Sequence, residues 1–200
     1  MTKHTKQSLE SLLRDVRACR ICEAALPLGP RPVLRVSESA RILIVGQAPG
    51  TRVHETGVPW NDPSGDRLRA WLDLPKEAFY DVSRIAIIPM GYCYPGRNER
   101  GGDLAPRKEC AERWLPLLLE HLPNRKLTLL IGGYAQEHYL GSTVKPTLTE
   151  TVRAWKEFQP DCIPLPHPSF RNLRWLKLNP WFESEVIPFL RKTVHALLKG

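Results

Sequence analysis

Four consecutive apolar residues, Ile42–Val45, constrain the fold of this chain more than any other stretch. An apolar run of this length, rich in β-branched residues, predicts a strand that is buried on both faces. Gly46, Pro49 and Gly50 end the strand, and a long polar segment then leads to Ser64, which we expect to cap the next helix. Because an ordinary connection has only about two to six residues, this longer loop is typical of a functional site.

Three further segments predict buried strands: 84–89, 126–131 and 162–165. Predicted helices separate and flank the strands, at 8–19, 64–74, 106–121, 134–140 and 149–158, with a last helix from Asn179-Pro180. Strands that alternate with helices predict a parallel sheet covered on both faces. We therefore expect an α/β fold, a three-layer α/β/α sandwich around a mainly parallel four-stranded sheet. A chain of 200 residues is long enough for one such domain, spanning 1–200.

Parallel strands place their carboxyl ends at one edge of the sheet, where α/β proteins bind ligands. The loop after Val45, the loop after Pro89 and the turn at His167 each follow a predicted strand. We expect these three loops to form the site.

The chain carries 29 Lys and Arg against 21 Asp and Glu, a formal charge of +8. A basic excess on a small domain favours a polyanionic partner, most often nucleic acid. No apolar run approaches the roughly 20 residues that cross a bilayer, and the N-terminus lacks the apolar segment of a secretory signal. We therefore expect a cytoplasmic protein without membrane contact. Its cysteines are then reduced thiols, as metal ligands or buried side chains.

Four of the five cysteines follow a pattern that metal sites use. Cys19 and Cys22 form a Cys-x-x-Cys pair, Cys93 follows the second predicted strand, and Cys110 lies in the next predicted helix. The spacing suits a four-cysteine zinc site or an iron–sulfur cluster equally well, and separate buried thiols are the simpler alternative. Cys162 lies within a predicted strand and is assigned to the core.

Three motifs occur in order along the chain: Gly46-Gln-Ala-Pro-Gly50, Thr56-Gly57-x-Pro59-Trp60 and His167-Pro-Ser169. Together they resemble the uracil-DNA glycosylase superfamily. With the four cysteines, the chain is most similar to the iron–sulfur enzymes of families four and five. The resemblance implies a structural [4Fe–4S] cluster on those cysteines, with zinc as the alternative.

The resemblance also implies a function. The chain should be a monomeric, monofunctional DNA glycosylase of base-excision repair. It would hydrolyse the N-glycosidic bond of uracil, or of a related deaminated base such as hypoxanthine, flipped out of DNA. Cleavage of this bond leaves negative charge on the base and positive charge on the sugar, so both ends need stabilisation. The histidine of the third motif, His167, is expected to stabilise the charge on the base.

The acid that serves the sugar is less clearly marked. Family-four enzymes carry it at the second position of the first motif, where this chain has Gln47. Family-five enzymes resemble this chain in having alanine at the next position, and a downstream aspartate is their acid. We therefore expect Asp62 to be catalytic, with Glu55 and His54 as rivals. A turn or helix cap is the simpler role for Asp62, since Pro63 follows it.

The predicted base pocket contains Gly46, Ala48, Trp60 and Pro89. Trp60 occupies the place of the aromatic ring that stacks on the base, although core packing explains a tryptophan nearly as well. Pro89 falls where family-four enzymes have the asparagine that recognises uracil, and proline has no side-chain donor. The target is therefore uracil recognised in another way, or another deaminated base.

The segment after His167 resembles the loop that enters the duplex, and Leu173 or Arg171 is the predicted wedge. Arginines between Cys93 and Cys110 are candidate phosphate contacts. The predicted DNA-binding set is Ser169, Arg171, Asn172, Leu173, Arg97 and Arg100.

Two other functions compete with the enzyme. Gln47 and Pro89 motivate a catalytically silent iron–sulfur member that only binds nucleic acid. A zinc-stabilised domain with an unrelated small-molecule role is the second.

Overall fold

The computed structural model describes residues 7–99 and 101–199. Its sheet contains the four predicted strands, which are all parallel: β1 (Ile42–Val45), β2 (Ile85–Ile87), β3 (Leu127–Ile131) and β4 (Cys162–Leu165). The strand order is β2-β1-β3-β4, so β1 lies inside the sheet between β2 and β3. The strand predictions are therefore confirmed.

The two faces of β1 enter two different hydrophobic clusters. Ile42 and Ile44 belong to one cluster, and Leu43 and Val45 belong to the other. Successive side chains of a strand point to opposite faces, and all four are buried. This two-sided burial is why the strand reads as an uninterrupted apolar run.

Helices cover both faces of the sheet. They are α1 (Leu9–Arg17), α2 (Thr51–Thr56), α3 (Pro63–Leu72), α4 (Lys76–Phe79), α5 (Lys108–Glu120), α6 (Gly133–Leu140), α7 (Leu148–Arg153), α8 (Leu173–Leu178) and α9 (Ile187–Lys199). Helices α3 and α9 pack into the cluster with Ile42, while α1 and α5 pack into the cluster with Leu43. The predicted three-layer α/β/α sandwich is confirmed.

Helix boundaries differ from the sequence prediction in several places. The polar segment after β1 contains a short helix, α2, which ends at Gly57 in the left-handed region with φ of 69°. The cap of α3 is Asp62, not Ser64, because the Asp62 side chain accepts a hydrogen bond from the Gly65 amide. At the C-terminus, a π-helical turn over Phe182–Val186 precedes α9.

The segment before β1 covers the free edge of β2. Arg35 and Ile87 exchange two backbone hydrogen bonds of 2.9 and 2.8 Å in an antiparallel bridge. This pairing occupies donors and acceptors that an edge strand would otherwise expose. None of the helices within 7–99 and 101–199 has the length and apolar character needed to cross a membrane.

Candidate active site

A cavity of about 510 Å³ opens at the carboxyl edge of the sheet. The loops after β1, β2 and β4 all contribute to its walls, as expected for a parallel sheet. Among the lining residues are Gly46, Trp60, Asp62, Pro89, Arg97 and His167. The fold therefore brings together residues that are far apart in the chain, such as Gly46 and His167.

His167 lies directly after β4, and the loop that carries it is held by hydrogen bonds to its backbone. The Asn172 amide donates to the His167 carbonyl at 2.7 Å, and Arg67 donates to the Pro168 carbonyl at 2.9 Å. Gly132, directly after β3, has a φ of 85° and lies beside the turn, since an added Cβ would be in ordinary contact with the His167 Cβ at 3.9 Å. The position of the imidazole is therefore set by the hydrogen bonds that hold its loop and by the adjacent Gly132.

Burial lowers the pKa of His167 below its ordinary value of 6.5. The carboxylates of Asp62 and Asp103 act in the opposite direction and favour the imidazolium, but burial has the larger effect. His167 is therefore neutral at physiological pH. A neutral imidazole carries one N–H donor, which suits it to stabilise a developing anion.

Trp60 forms the wall that faces His167. The centroids of the two rings are 5.5 Å apart, and the ring planes are inclined by 33°. The Trp60 backbone has a φ of 57°, which is unusual for a bulky residue. Gly46 makes room for the indole, since an added Cβ would lie 2.8 Å from Cζ2 of Trp60. The indole also packs against the core cluster with Ile42, so it serves as cavity wall and as core contact.

Asp62 combines a place at the cavity with the helix-cap role that its position also predicted. Its side chain lines the cavity, and its Oδ1 accepts a hydrogen bond of 2.8 Å from the Gly65 amide at the start of α3. Its rivals Glu55 and His54 are not among the described residues that line the cavity. Glu55 is exposed on α2, and His54 is buried with its ring 6.2 Å from that of Tyr94. The structure thus separates both rivals from the predicted site.

The remaining residues of the predicted base pocket, Ala48 and the buried Pro89, reach the cavity, and so does Gln47 from the predicted catalytic position. The Gln47 amide donates to the Leu104 carbonyl at 3.1 Å, so this side chain ties the first motif to the loop after β2. Pro89 presents no donor to the cavity, as its chemistry requires.

The loop over 96–104 adds cavity residues that the sequence analysis missed. Asp103 lines the cavity together with Arg97, and the two residues form an antiparallel bridge and an ion pair of 3.7 Å. Asn98 closes the turn by accepting a hydrogen bond of 2.9 Å from the Gly102 amide. Arg100, another predicted phosphate contact, lies outside the described residues. The one available signal for Asp103 was an acid in a glycine-rich passage that follows a strand.

The loop after His167 differs in detail from the prediction. Arg171 donates to the Gly101 carbonyl at 2.5 Å, so it joins this loop to 96–104. Phe170 is 70% exposed, more than Leu173 at 46%, and it lines the mouth of the cavity. Phe170 was not predicted, although an aromatic residue next to the third motif was a visible signal. Ser169 and Asn172, two of the predicted DNA-binding residues, also line the cavity.

A family described as the uracil DNA glycosylase superfamily matches residues 35–191 of this chain. The chain belongs to the uracil DNA glycosylase superfamily. The matched range includes the sheet and all three loops that form the cavity. A similar solved structure is the solution NMR structure of a protein from Methanosarcina acetivorans that is provisionally named a uracil DNA glycosylase. It is 17% identical, with 79% of this chain and 93% of that chain covered and a TM-score of 0.46.

This member of the superfamily has a second, smaller cavity of about 10 Å³. Cys19, Cys22, Cys93 and Cys110 all line it. Trp114 Nε1 donates to Cys19 Sγ at 3.4 Å, and the Tyr92 amide donates to Cys110 Sγ at 3.5 Å. The fifth cysteine, Cys162, is on β4 and packs against the core cluster with Leu43. The structure therefore brings the four predicted ligands to one place and keeps the fifth away.

The donor set suits a group that binds thiolates. Burial raises the pKa of Cys93 to about 11 and that of Cys110 to about 12, so both are neutral thiols unless a cation stabilises the thiolate. In the described part of the chain, no three His, Cys, Asp or Glu residues are arranged to hold a single metal ion. The sulfur atoms fit a polynuclear cluster chemically. The cavity that these four cysteines line has about 10 Å³ of open space, about that of one water.

Proposed function

We propose that this protein is a DNA glycosylase that hydrolyses the N-glycosidic bond of a deaminated base flipped out of DNA. One observation carries the proposal: His167 and an aromatic wall, Trp60, share a cavity of about 510 Å³ with the carboxylates of Asp62 and Asp103. Cavities of roughly 300–1,000 Å³ are the usual size for small-molecule sites. A flipped base fits this description of a ligand.

His167 serves the base. As the bond between base and sugar breaks, negative charge develops on the base, and the imidazole N–H donates a hydrogen bond to it. A single preorganised donor of this kind contributes about 10²–10³-fold to a rate. Trp60 supplies an aromatic face on which the base can stack, and its indole is packed against Gly46.

A carboxylate serves the sugar by orienting a water molecule or by stabilising positive charge. Asp62 lines the cavity and its charge reaches His167. Gln47 cannot supply this charge because its side chain is a neutral amide. The catalytic acid is therefore supplied from outside the first motif.

Pro89 and Ala48 offer the base no side-chain hydrogen bond, so the edge of the base is recognised by backbone groups or by few side chains. This favours a site that accepts more than one deaminated base, and both uracil and hypoxanthine belong in the test.

DNA contacts surround the mouth of the cavity. Phe170 is the most exposed large apolar residue of the described chain and lies beside Arg171, whose guanidinium is 5.8 Å from the ring centroid. We propose that Phe170, together with Leu173, fills the gap that the flipped base leaves in the duplex. Arg171 keeps a positive charge next to it while holding the loop over 96–104.

The test is release of the base from duplex and single-stranded oligonucleotides that contain uracil or hypoxanthine. Alkali-labile breaks after incubation with the protein report abasic sites. His167→Gln should slow release by about 10²–10³-fold, because it removes the positioned imidazole donor. His138→Gln changes an exposed histidine on α6 and is the matched control, with an unchanged rate. Salt-sensitive DNA binding without release of any base would contradict the enzyme and favour a catalytically silent binding protein.

We also propose that Cys19, Cys22, Cys93 and Cys110 hold a structural [4Fe–4S] cluster. Their convergence on one cavity and the hydrogen bonds to Cys19 and Cys110 sulfur support this assignment. Protein purified without oxygen should contain about four irons and four sulfides per chain. One zinc per chain without iron would contradict it.

A further inference from the structure

Asp103 is a second carboxylate on the cavity that contains His167. It reaches the cavity from the loop over 96–104, whereas Asp62 comes from the start of α3. Its charge acts on His167 in the same direction as that of Asp62. Asp103 Oδ2 also lies beside the first motif, 3.9 Å from the position of a Cβ on Gly50. The cavity thus contains two candidate acids.

The two acids differ in what their oxygens already do. Asp62 Oδ1 is occupied by the Gly65 amide, and this hydrogen bond caps α3. At this oxygen, a water molecule in the cavity competes with the helix cap for the lone pairs. Asp103 has no helix to cap. Its side chain is 45% exposed, with Oδ1 3.7 Å from Arg97 Nε, and this spacing leaves the carboxylate accessible to water.

Hydrogen bonds on both sides of Asp103 fix the loop that carries it. On one side the Leu104 carbonyl accepts from Gln47, and on the other the Gly101 carbonyl accepts from Arg171. The first contact comes from the loop after β1 and the second from the loop after β4. Asp103 is therefore held between two of the elements that build the cavity, as a preorganised catalytic group must be.

Gln47 connects these facts. Its amide, in the first motif, holds the backbone of Leu104, the residue next to Asp103. Gln47 itself has no carboxylate. Its hydrogen bond to Leu104 instead holds the loop that carries the Asp103 carboxylate to the cavity.

We infer that Asp103 is the catalytic base of the reaction, a role that rests on the proposed glycosylase function. The C1′–N bond of the target nucleotide breaks, and the base leaves with the bonding electrons while His167 donates a hydrogen bond to it. A water oxygen forms the new bond to C1′, and its proton passes to the Asp103 carboxylate. Asp62 caps α3 and lines the wall.

The test compares single-turnover base release by Asp103→Asn, Asp62→Asn and Glu99→Gln with that of the native protein. Asn caps a helix as well as Asp, so Asp62→Asn keeps α3 intact. Glu99 is an exposed acid on the same loop and does not line the cavity, which makes it the matched control. Asp103→Asn should slow release by about 10²–10⁴-fold, the usual loss for a general base, without weakening DNA binding. Asp62→Asn should change the rate by less than about tenfold, and Glu99→Gln should not change it.

A second measurement separates chemistry from loop structure. Added formate should partly restore release by Asp103→Ala, since a small carboxylate enters the space that the side chain leaves, and it should not restore release by His167→Gln. A purely structural role for Asp103 predicts no such rescue. Asp103→Asn with a rate within about threefold of native, or a larger loss in Asp62→Asn, would overturn the inference. Native protein that releases no base refutes the proposed function itself, a different outcome.

Discussion

The two cavities of this protein differ in open volume and in how their walls are held. The cavity with His167 has about 510 Å³ of open space, and its walls are fixed by hydrogen bonds between loops. The cavity with the four cysteines has about 10 Å³, and burial keeps Cys93 and Cys110 as neutral thiols. The proposed base site is shaped by the protein alone, whereas the proposed cluster site also needs a cation that stabilises the thiolates. The walls of the larger cavity are preorganised, whereas the structure of the proposed cluster site depends on metal binding.

One segment connects the two regions. Cys93 and Cys110 bracket the residues between them, which include Arg97 and Asp103 on the larger cavity. The segment between two of the proposed ligands therefore supplies part of the wall of the larger cavity. This shared segment allows the comparison to be tested from either side.

The largest effect is expected at the cysteine cavity. Cys93→Ser removes one proposed ligand, so the protein should lose its iron and also the stability that a tightly bound group provides. That contribution is about 4 kcal/mol for a group present at a thousand times its Kd. Thermal denaturation and iron analysis measure both losses. Cys162→Ser is the control and should retain full iron; equal iron in the two variants would show that Cys93 is no ligand.

At the larger cavity, Gly65→Ala tests how rigid the wall is. An added Cβ would lie 1.7 Å from the Trp60 carbonyl oxygen, a backbone atom that cannot rotate away. We expect a loss of about 1–3 kcal/mol in the free energy of unfolding, as for overpacking elsewhere. Gly133→Ala is the matched control, because its Cβ would meet only the Glu137 carboxylate at 3.6 Å. Urea denaturation that gives the same midpoint for both variants would mean that the wall adapts.

A smaller effect separates the two roles of Asp62. Asp62→Ala removes the cap of α3 and should cost about 1 kcal/mol of stability, whereas Asp62→Asn keeps the cap and should cost little. Chemical denaturation measures the difference. Equal losses in the two variants would mean that the negative charge, not the capping hydrogen bond, stabilises the helix.

The smallest effect concerns pH. Because burial holds the pKa of His167 below 6.5, the folded protein takes up this proton only at a lower pH than the unfolded chain does. The contribution of His167 to stability is therefore complete above pH 6.5 and declines as the pH falls through that value. Asp62 and Asp103 face the imidazole and raise its pKa, so Asp62→Asn should lower it further. An NMR titration of His167 at or above 6.5 in the native protein would contradict this account.

The sequence was sufficient for the sheet. Each strand is an apolar run buried on both faces, and this burial leaves a signal that does not depend on its partners. The same reasoning located the loops of the cavity, because the carboxyl ends of parallel strands share an edge. It also identified four cysteines that converge on one cavity.

The sequence did not predict correctly which residues reach the cavity where contacts between distant parts of the chain decide it. His54 and Glu55 follow the first motif more closely than Asp62 does, yet both lie on α2 and neither lines the cavity. Asp103 gave little signal, because its position depends on hydrogen bonds from Gln47 and Arg171 to its loop. Such contacts join residues that are far apart in the chain and leave no local pattern.

The sequence by itself determined the four-stranded α/β architecture, the order of its motifs and the chemistry of the side chains it offers. Only the tertiary structure decided which of those side chains share a cavity: His167 with Asp62 and Asp103, and the four cysteines with one another. The physical reason is that the apolar residues of each strand are sufficient by themselves to make it buried. Proximity between loops arises only when the sheet has set the directions in which they leave it.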